Sequence, residues 1–228
     1  MSSSITIGTP PIELRVRRLK QARRYSLRIS SSDGSVSLTM PARASLNEAL
    51  DFAQRQEGWL RKNLEKHPGR ITTAFGSSIL FQGEETNIRP TEGRSVRFSD
   101  RALHVPGNED TLGAKLRGFF KVEARAQLAK RSEYHAEKIG RLPGRLTLRD
   151  TKSRWGSCSA NGDLMFSWRL IMAPPEVLDY VAAHEVAHFV HMNHSPAFWA
   201  LVTELKPDYA KPRSWLRKNG ALLHRYDI

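Results

Sequence analysis

The sequence predicts an α+β protein: a β-rich N-terminal region with one helix, residues 1–106, then a region of helices and a small antiparallel sheet, residues 107–228. Three observations carry this. Apolar and polar residues alternate through 12–40 and 78–105, the two-residue period of half-buried strands. Apolar residues keep helical spacing over a long stretch from about Glu109 to Ile139, closed by Gly140. An apolar helix after Pro174-Pro175-Glu176 carries two histidines one turn apart.

Residues 1–10 are serine-rich with prolines at Pro10 and Pro11, and read as a disordered leader. Ile12, Leu14 and Val16 then alternate with Glu13, Arg15 and Arg17, and Tyr25, Leu27 and Ile29 alternate with serine and arginine. Asp33-Gly34 predicts a hairpin turn before Val36, Leu38 and Met40. Ser45 and Glu48 have the spacing of a capping box, and a helix is expected behind it to about Lys66, ended by Pro68-Gly69. Ile79/Phe81, Val96/Phe98 and Leu103/Val105 mark strands around turns at Gly93 and Asp100. Leu146 and Leu148 mark another strand. Asn161-Gly162 is a strong turn signal and predicts a hairpin from Arg154–Ser159 and Leu164–Ile171. Ser195 as N-cap and Pro196 at the first helical position start a further helix to about Leu205. A last helix, about Tyr209–Asn219, is closed by Gly220. No internal repeat is visible.

The chain has 228 residues, 39% hydrophobic and 26% charged, an ordinary balance for a globular protein. No apolar run approaches the roughly 18 residues of a membrane span, and the N-terminus lacks the basic and apolar blocks of a secretory signal. The single cysteine, Cys158, allows no internal disulfide and suits a reducing cytoplasm. The net charge of +13 attracts polyanions such as nucleic acid, although a solvated basic surface explains it equally well. Arg15, Arg17, Arg18, Lys20, Arg23, Arg24 and Arg28 make 12–40 the most basic segment.

The chemistry sits in His184-Glu185-Val186-Ala187-His188, with His194 six residues on. Histidines at i and i+4 share a helix face, so both imidazoles reach one cation at about 2.0–2.1 Å. Glu185 is rotated about 100° from His184, out of the ligand position but close to a metal-bound water. His194 returns from the corner between two helices as third ligand. Three protein ligands with one open position is the pattern of catalytic zinc, with Glu185 as general acid/base. Three imidazoles favour zinc, while manganese, cobalt and nickel accept the same donors. His191 competes as third ligand, and Cys158 is a further ligand option. Asp179, Glu204 and Asp208 are candidates to hold a ligand's second ring nitrogen.

Around this centre, Arg154 is placed to hold a substrate carboxylate or phosphate, and Gly156 permits a close approach. Trp155 and Cys158 read first as core residues. Tyr180, four residues before His184, reads first as packing and second as a donor to an oxyanion. Asn193 reads as a turn residue that holds the corner or touches substrate.

Several of these segments carry a family likeness. Arg154-Trp155-Gly156-Ser157-Cys158-Ser159, Trp168-Arg169-Leu170, Ala173-Pro174-Pro175, Tyr180-Val181 with the His184 motif, and Asn193-His194-Ser195 with Phe198-Trp199 together resemble the YgjP-like family. That family groups zinc metallopeptidases and metal-dependent hydrolases related to the WLM and SprT groups. The likeness is dense over Lys152–Trp199, and the β-rich first half with the helix bearing Trp59 is similar too. The resemblance implies a zincin-like catalytic domain, His184, His188 and His194 as ligands, and Glu185 as acid/base. Metzincins share the ligand spacing, but their glycine is replaced here by His191. The expected function is a zinc-dependent metallopeptidase. The alternatives are a metal-dependent nucleoside triphosphate pyrophosphohydrolase and a nucleic-acid-binding module with structural zinc. The partners expected are a peptide or nucleotide substrate, nucleic acid through the basic surface, and no membrane.

Overall fold

Four strands, β1 (Ser3–Ile7), β2 (Ile12–Leu19), β3 (Ser26–Ile29) and β4 (Val36–Pro41), form a mixed sheet ordered β1-β2-β4-β3. These coordinates are a computed structural model that describes residues 3–30, 34–65 and 69–228. Side chains alternate across the pleat, so Ile12, Leu14, Val16, Val36, Leu38 and Met40 share one buried face. Two helices cover it, α1 (Leu46–Arg55) and α2 (Glu57–Leu64), through Ala49, Ala53 and Leu60. The expected leader is therefore a strand, because Ile5 and Ile7 give it an apolar face to bury. Of the expected Asp33-Gly34 turn, Asp33 lies outside the described residues, and Gly34 takes the left-handed φ of 67° that glycine allows. Lys66 and Pro68 also lie outside them.

The helix expected to run unbroken from Ser45 divides at Gln56, where φ is −97° and ψ is 7°. Gly58, a poor helix former, stands beside the break. The capping box does not close: Ser45 makes no side-chain cap, and the Glu48 carboxylate instead accepts a 2.7 Å hydrogen bond from the Tyr25 hydroxyl.

The chain divides into two compact units, Met1–Arg70 and Ile71–Ile228. The boundary proposed at Pro106 thus falls inside the second unit, where Ile79, Phe81, Ile88, Leu103 and Val105 join one core with the helices that follow. That unit begins with β5 (Ile71–Thr72) and a mixed sheet of β6 (Ser78–Phe81), β7 (Glu84–Thr91), β8 (Arg97–Ser99) and β9 (Ala102–Pro106), ordered β6-β7-β9-β8. The long α3 (Glu109–Lys138) follows, started by a capping box between Asn108 and Thr111 and stopped before Gly140, whose φ is 63°. Its Leu112, Leu116, Phe120, Ala124 and Leu128 are buried on one face.

β10 (Leu146–Arg149), β11 (Gly156–Cys158) and β12 (Leu164–Ser167) make a second sheet, ordered β10-β12-β11. Here β11 and β12 form the expected hairpin through Gly162, while β10 runs parallel to β12, so this small sheet is mixed rather than antiparallel. The strand expected to continue to Ile171 turns into a 3-10 helix at Trp168–Met172. All five of its residues are buried, so the two-sided alternation of an edge strand is lost.

Three helices and a short strand complete the unit: α4 (Pro175–Ala187), α5 (Pro196–Leu205), α6 (Ala210–Leu223) and β13 (Tyr226–Asp227), which pairs in parallel with β5. Gly220 does not end α6. It lies inside the helix because a Cβ there would sit 2.9 Å from Cζ2 of Trp155. The start of α4 is held by the β6–β7 turn: Gln82 and Gly83 donate backbone hydrogen bonds to the Ile171 and Met172 carbonyls at 2.8 and 3.1 Å. Gly83 has a φ of 87°, and its missing Cβ would meet Pro174 at 2.9 Å. A larger residue would push the helix start away. No helix of the described residues is long and apolar enough to cross a membrane.

Candidate metal centre

α4 is apolar on most sides, and Val177, Leu178, Val181, Ala182, Ala183, Val186 and Ala187 are buried around its polar side chains. His184 and Glu185 lie in its last turn, and His188 is the residue that ends it. The chain then turns through 189–194. Asn193 holds the corner by accepting the Ser195 N–H at 3.3 Å, and Ser195 caps α5 through the Phe198 N–H at 3.4 Å. This corner brings His194 back over α4.

The three imidazoles converge. Their nearest nitrogens all lie within 4.8 Å of one another, and Nε2 of His184 is 3.0 Å from Nε2 of His194. Phe198 touches all three rings, with centroid separations of 4.9, 4.6 and 4.8 Å. Trp199 lies beside His184 and His194. These two aromatics form the wall that keeps the rings in place, a role that the sequence reading did not assign. The signal was present in their spacing: Phe198 and Trp199 follow the Ser195 cap directly and face back toward the corner.

The donor set fits a metal ion. Burial, reinforced by His188 and His194, pushes His184 down to about 3, and burial also lowers His188. Both are therefore neutral bases with a lone pair to give. Nδ1 of His188 donates to the His191 carbonyl at 2.9 Å, which leaves its Nε2 for the centre. His191 thus contributes backbone rather than a ligand nitrogen. Nδ1 of His184 is buried without a hydrogen-bond partner among the described residues, so packing against Tyr180 and Phe198 fixes that ring.

None of the carboxylates considered for the second ring nitrogens serves. Asp179 binds Arg131, His135 and Lys206. Asp208 pairs with Lys206, and Glu204 is exposed. Cys158 is outside the cluster; burial and then Glu185 push its thiol up to about 11, and Sγ donates to the Ser159 carbonyl. It is a thiol, not a thiolate ligand.

Glu185 is buried, 5% exposed, and desolvation raises its carboxyl to about 8 against the opposing pull of Arg154. It rests on β11 at Gly156, where a Cβ would lie 2.6 Å from Oε1. Gly156 is therefore the seat of the Glu185 side chain. A cleft of about 420 Å³ opens here, lined on one side by Ser153, Arg154, Gly156, Ser157 and Cys158, and on the other by His184, Glu185, His188, Met192 and His194. Arg154 is exposed at its margin. Tyr180 is buried behind His184, stacked on Tyr209 and absent from this lining; burial raises its hydroxyl to about 12. Trp155 stacks on His224 and fills the space over Gly220, the packing role expected of it.

An α+β unit with a three-histidine cluster that could hold a metal ion, and a buried glutamate beside it, has the make-up of a metal-dependent hydrolase. The family model described as YgjP-like, metallopeptidase domain, matches residues 23–219, and the chain belongs to that family. No curated protein and no solved structure matches the chain.

Proposed function

We propose that the protein is a zinc-dependent peptidase in which His184, His188 and His194 hold the metal and Glu185 is the general acid/base. The observation that carries this reading is Glu185 itself: a buried carboxyl seated on Gly156 beside three converging imidazoles. A structural metal site has no use for such a base. Zinc bound there supplies a Lewis acid that polarises the scissile carbonyl and acidifies the attacking water.

Glu185 accepts the proton of that water and delivers it to the leaving amine. Burial alone favours the protonated carboxyl; a cation held by the three imidazoles would oppose that burial and favour the carboxylate that accepts the proton. β11 is an edge strand of its sheet, a position at which an extended peptide can add alongside the cleft. Met192 offers an apolar contact and Arg154 a cation for a substrate carboxylate. Tyr180 acts through His184 by bracing its ring.

Arg154 also keeps phosphoanhydride hydrolysis in view as the second reading. The peptide reading is preferred because Arg154 is the one cationic side chain among the described residues lining the cleft, whereas a triphosphate calls for several positive groups.

The test compares wild type with Glu185→Gln, each loaded with zinc, on an unfolded protein substrate and on nucleoside triphosphates. Proteolysis should fall by roughly 10²–10⁴ in the variant while zinc stays bound. Nucleotide hydrolysis that depends on Glu185, without proteolysis, moves the protein to the second reading. Full proteolysis by the variant overturns the mechanism.

A further inference from the structure

Residues 1–70 hold about half of the net +13 charge in under a third of the chain, and the first sheet shows where part of it goes. The strand registers align residues across the face opposite the core. One row reads Ser4, Arg15, Ser37 and Arg28 from β1, β2, β4 and β3. The next reads Arg17, Thr39 and Ser26 from β2, β4 and β3. Arg15 and Arg17 stand about 7 Å apart along their strand, and Arg28 is two strand spacings away, about 10 Å.

All three arginines are exposed, and no hydrogen bond or ion pair holds their side chains among the described residues. Arg18 differs: its guanidinium is spent on the Ala42 and Ala44 carbonyls. The acid on the face, Glu13, accepts from the Ser4 hydroxyl. Lys20, Arg23 and Arg24, also exposed, extend the positive field past one end of the sheet.

We propose that this face binds a nucleic-acid duplex through its phosphates. Arginine forks and short hydroxyls are the side chains that grip phosphodiester oxygens. Among the described residues this surface has no aromatic ring on which an unpaired base would stack, which argues against a single strand. The apolar residues in register with it, Leu19 and Pro41, are half-buried at one end, so little is offered to a lipid surface. Binding of this kind reads backbone rather than sequence. It stands apart from the catalytic reading, since none of these residues lines the cleft.

The test is fluorescence anisotropy of the full chain with a labelled mixed-sequence DNA duplex of about 24 base pairs, at roughly 50 to 200 mM salt. Arg15→Ser/Arg17→Ser/Arg28→Ser is compared with Arg94→Ser/Arg97→Ser/Arg117→Ser, which removes the same charge from exposed sites elsewhere. The face variant should bind roughly tenfold or more weakly and lose about 2.7 from its log–log salt slope, 0.9 per phosphate contact. The control variant should keep most of both. Circular dichroism checks folding, and if the triple variant is misfolded, Arg15→Gln alone should reduce the slope by about 0.9. Equal effects of the two triple variants overturn the proposal. So does failure of wild type to bind the duplex at the lowest salt, tighter binding to single strands, or binding only to anionic lipid vesicles.

Discussion

The two sides of α4 treat polar groups in opposite ways. On one side Asp179 is surrounded: Arg131 at 2.6 Å, His135 at 2.7 Å and Lys206 at 3.2 Å. Burial alone would push this carboxyl up, but the hydrogen bonds from His135, Arg131 and Lys206 outweigh it and hold it well below the carboxylate range. On the other side Nδ1 of His184 has no partner among the described residues, two imidazole nitrogens face each other, and Glu185 is raised by burial. A carboxylate whose partners are all in place fastens a helix to its neighbours. Groups left short of partners inside a protein are held there at a cost in stability, and they gain partners when a ligand arrives. The helix is pinned on one side so that the other can stay incomplete.

Substitution can break this contrast from either side. His188→Gln, which keeps the size of the side chain, should weaken zinc binding on the order of a thousandfold or more while the metal-free protein unfolds within about 1 kcal/mol of wild type. Titration with a chelating indicator and urea unfolding of the apo-protein measure the two effects. Asp179→Asn should do the reverse, costing about 3 kcal/mol of stability with zinc affinity little changed in the folded protein.

The same variant has a pH signature. The folded carboxyl lies below its unfolded value near about 4, so its contribution is complete above that value and is lost as pH falls below it. Wild type should therefore lose stability steeply between about pH 4 and 2, and Asp179→Asn should flatten that slope. A steep acid limb retained by the variant would mean that other carboxylates dominate.

Gly156→Ala comes next in size. The added Cβ meets Glu185 at 2.6 Å, so turnover should fall about tenfold and stability by about 1–2 kcal/mol, with zinc still bound. Tyr180→Phe should be smallest, with stability within about 1 kcal/mol and turnover within about twofold. A hundredfold loss of kcat at unchanged KM would instead give the Tyr180 hydroxyl an oxyanion-stabilising role.

The three-histidine cluster was legible in the chain because helical spacing is short-range: i and i+4 on a helix, and a capped corner at Ser195, leave few alternatives for where His184, His188 and His194 go. The hairpin at Gly162 and the stop at Gly140 were legible for the same reason. What escaped depends on partners remote in sequence. Nothing near Asp179 announces that Arg131 and His135, on a different helix, will claim it. Gly220 looks like a helix end until Trp155 is seen to need the room above it. Ser45 and Glu48 have the right spacing for a cap, yet Tyr25 takes the glutamate. The His191 backbone orients His188, and a carbonyl carries no signature in a sequence at all.

β13 gives the second unit an unusual order of completion. Tyr226 and Asp227 pair with Ile71 and Thr72, and Arg169 ties the same end down by donating to the Leu223 and Tyr226 carbonyls while its fork grips Asp150. During synthesis the first strand of this unit leaves the ribosome before its partner, which is made only at the end of the unit. The first sheet is built from β1 to β4 and covered by α1 and α2, all made earlier in the chain. A nascent chain would thus carry the parts of the basic sheet well before it carried the last strand of the second unit.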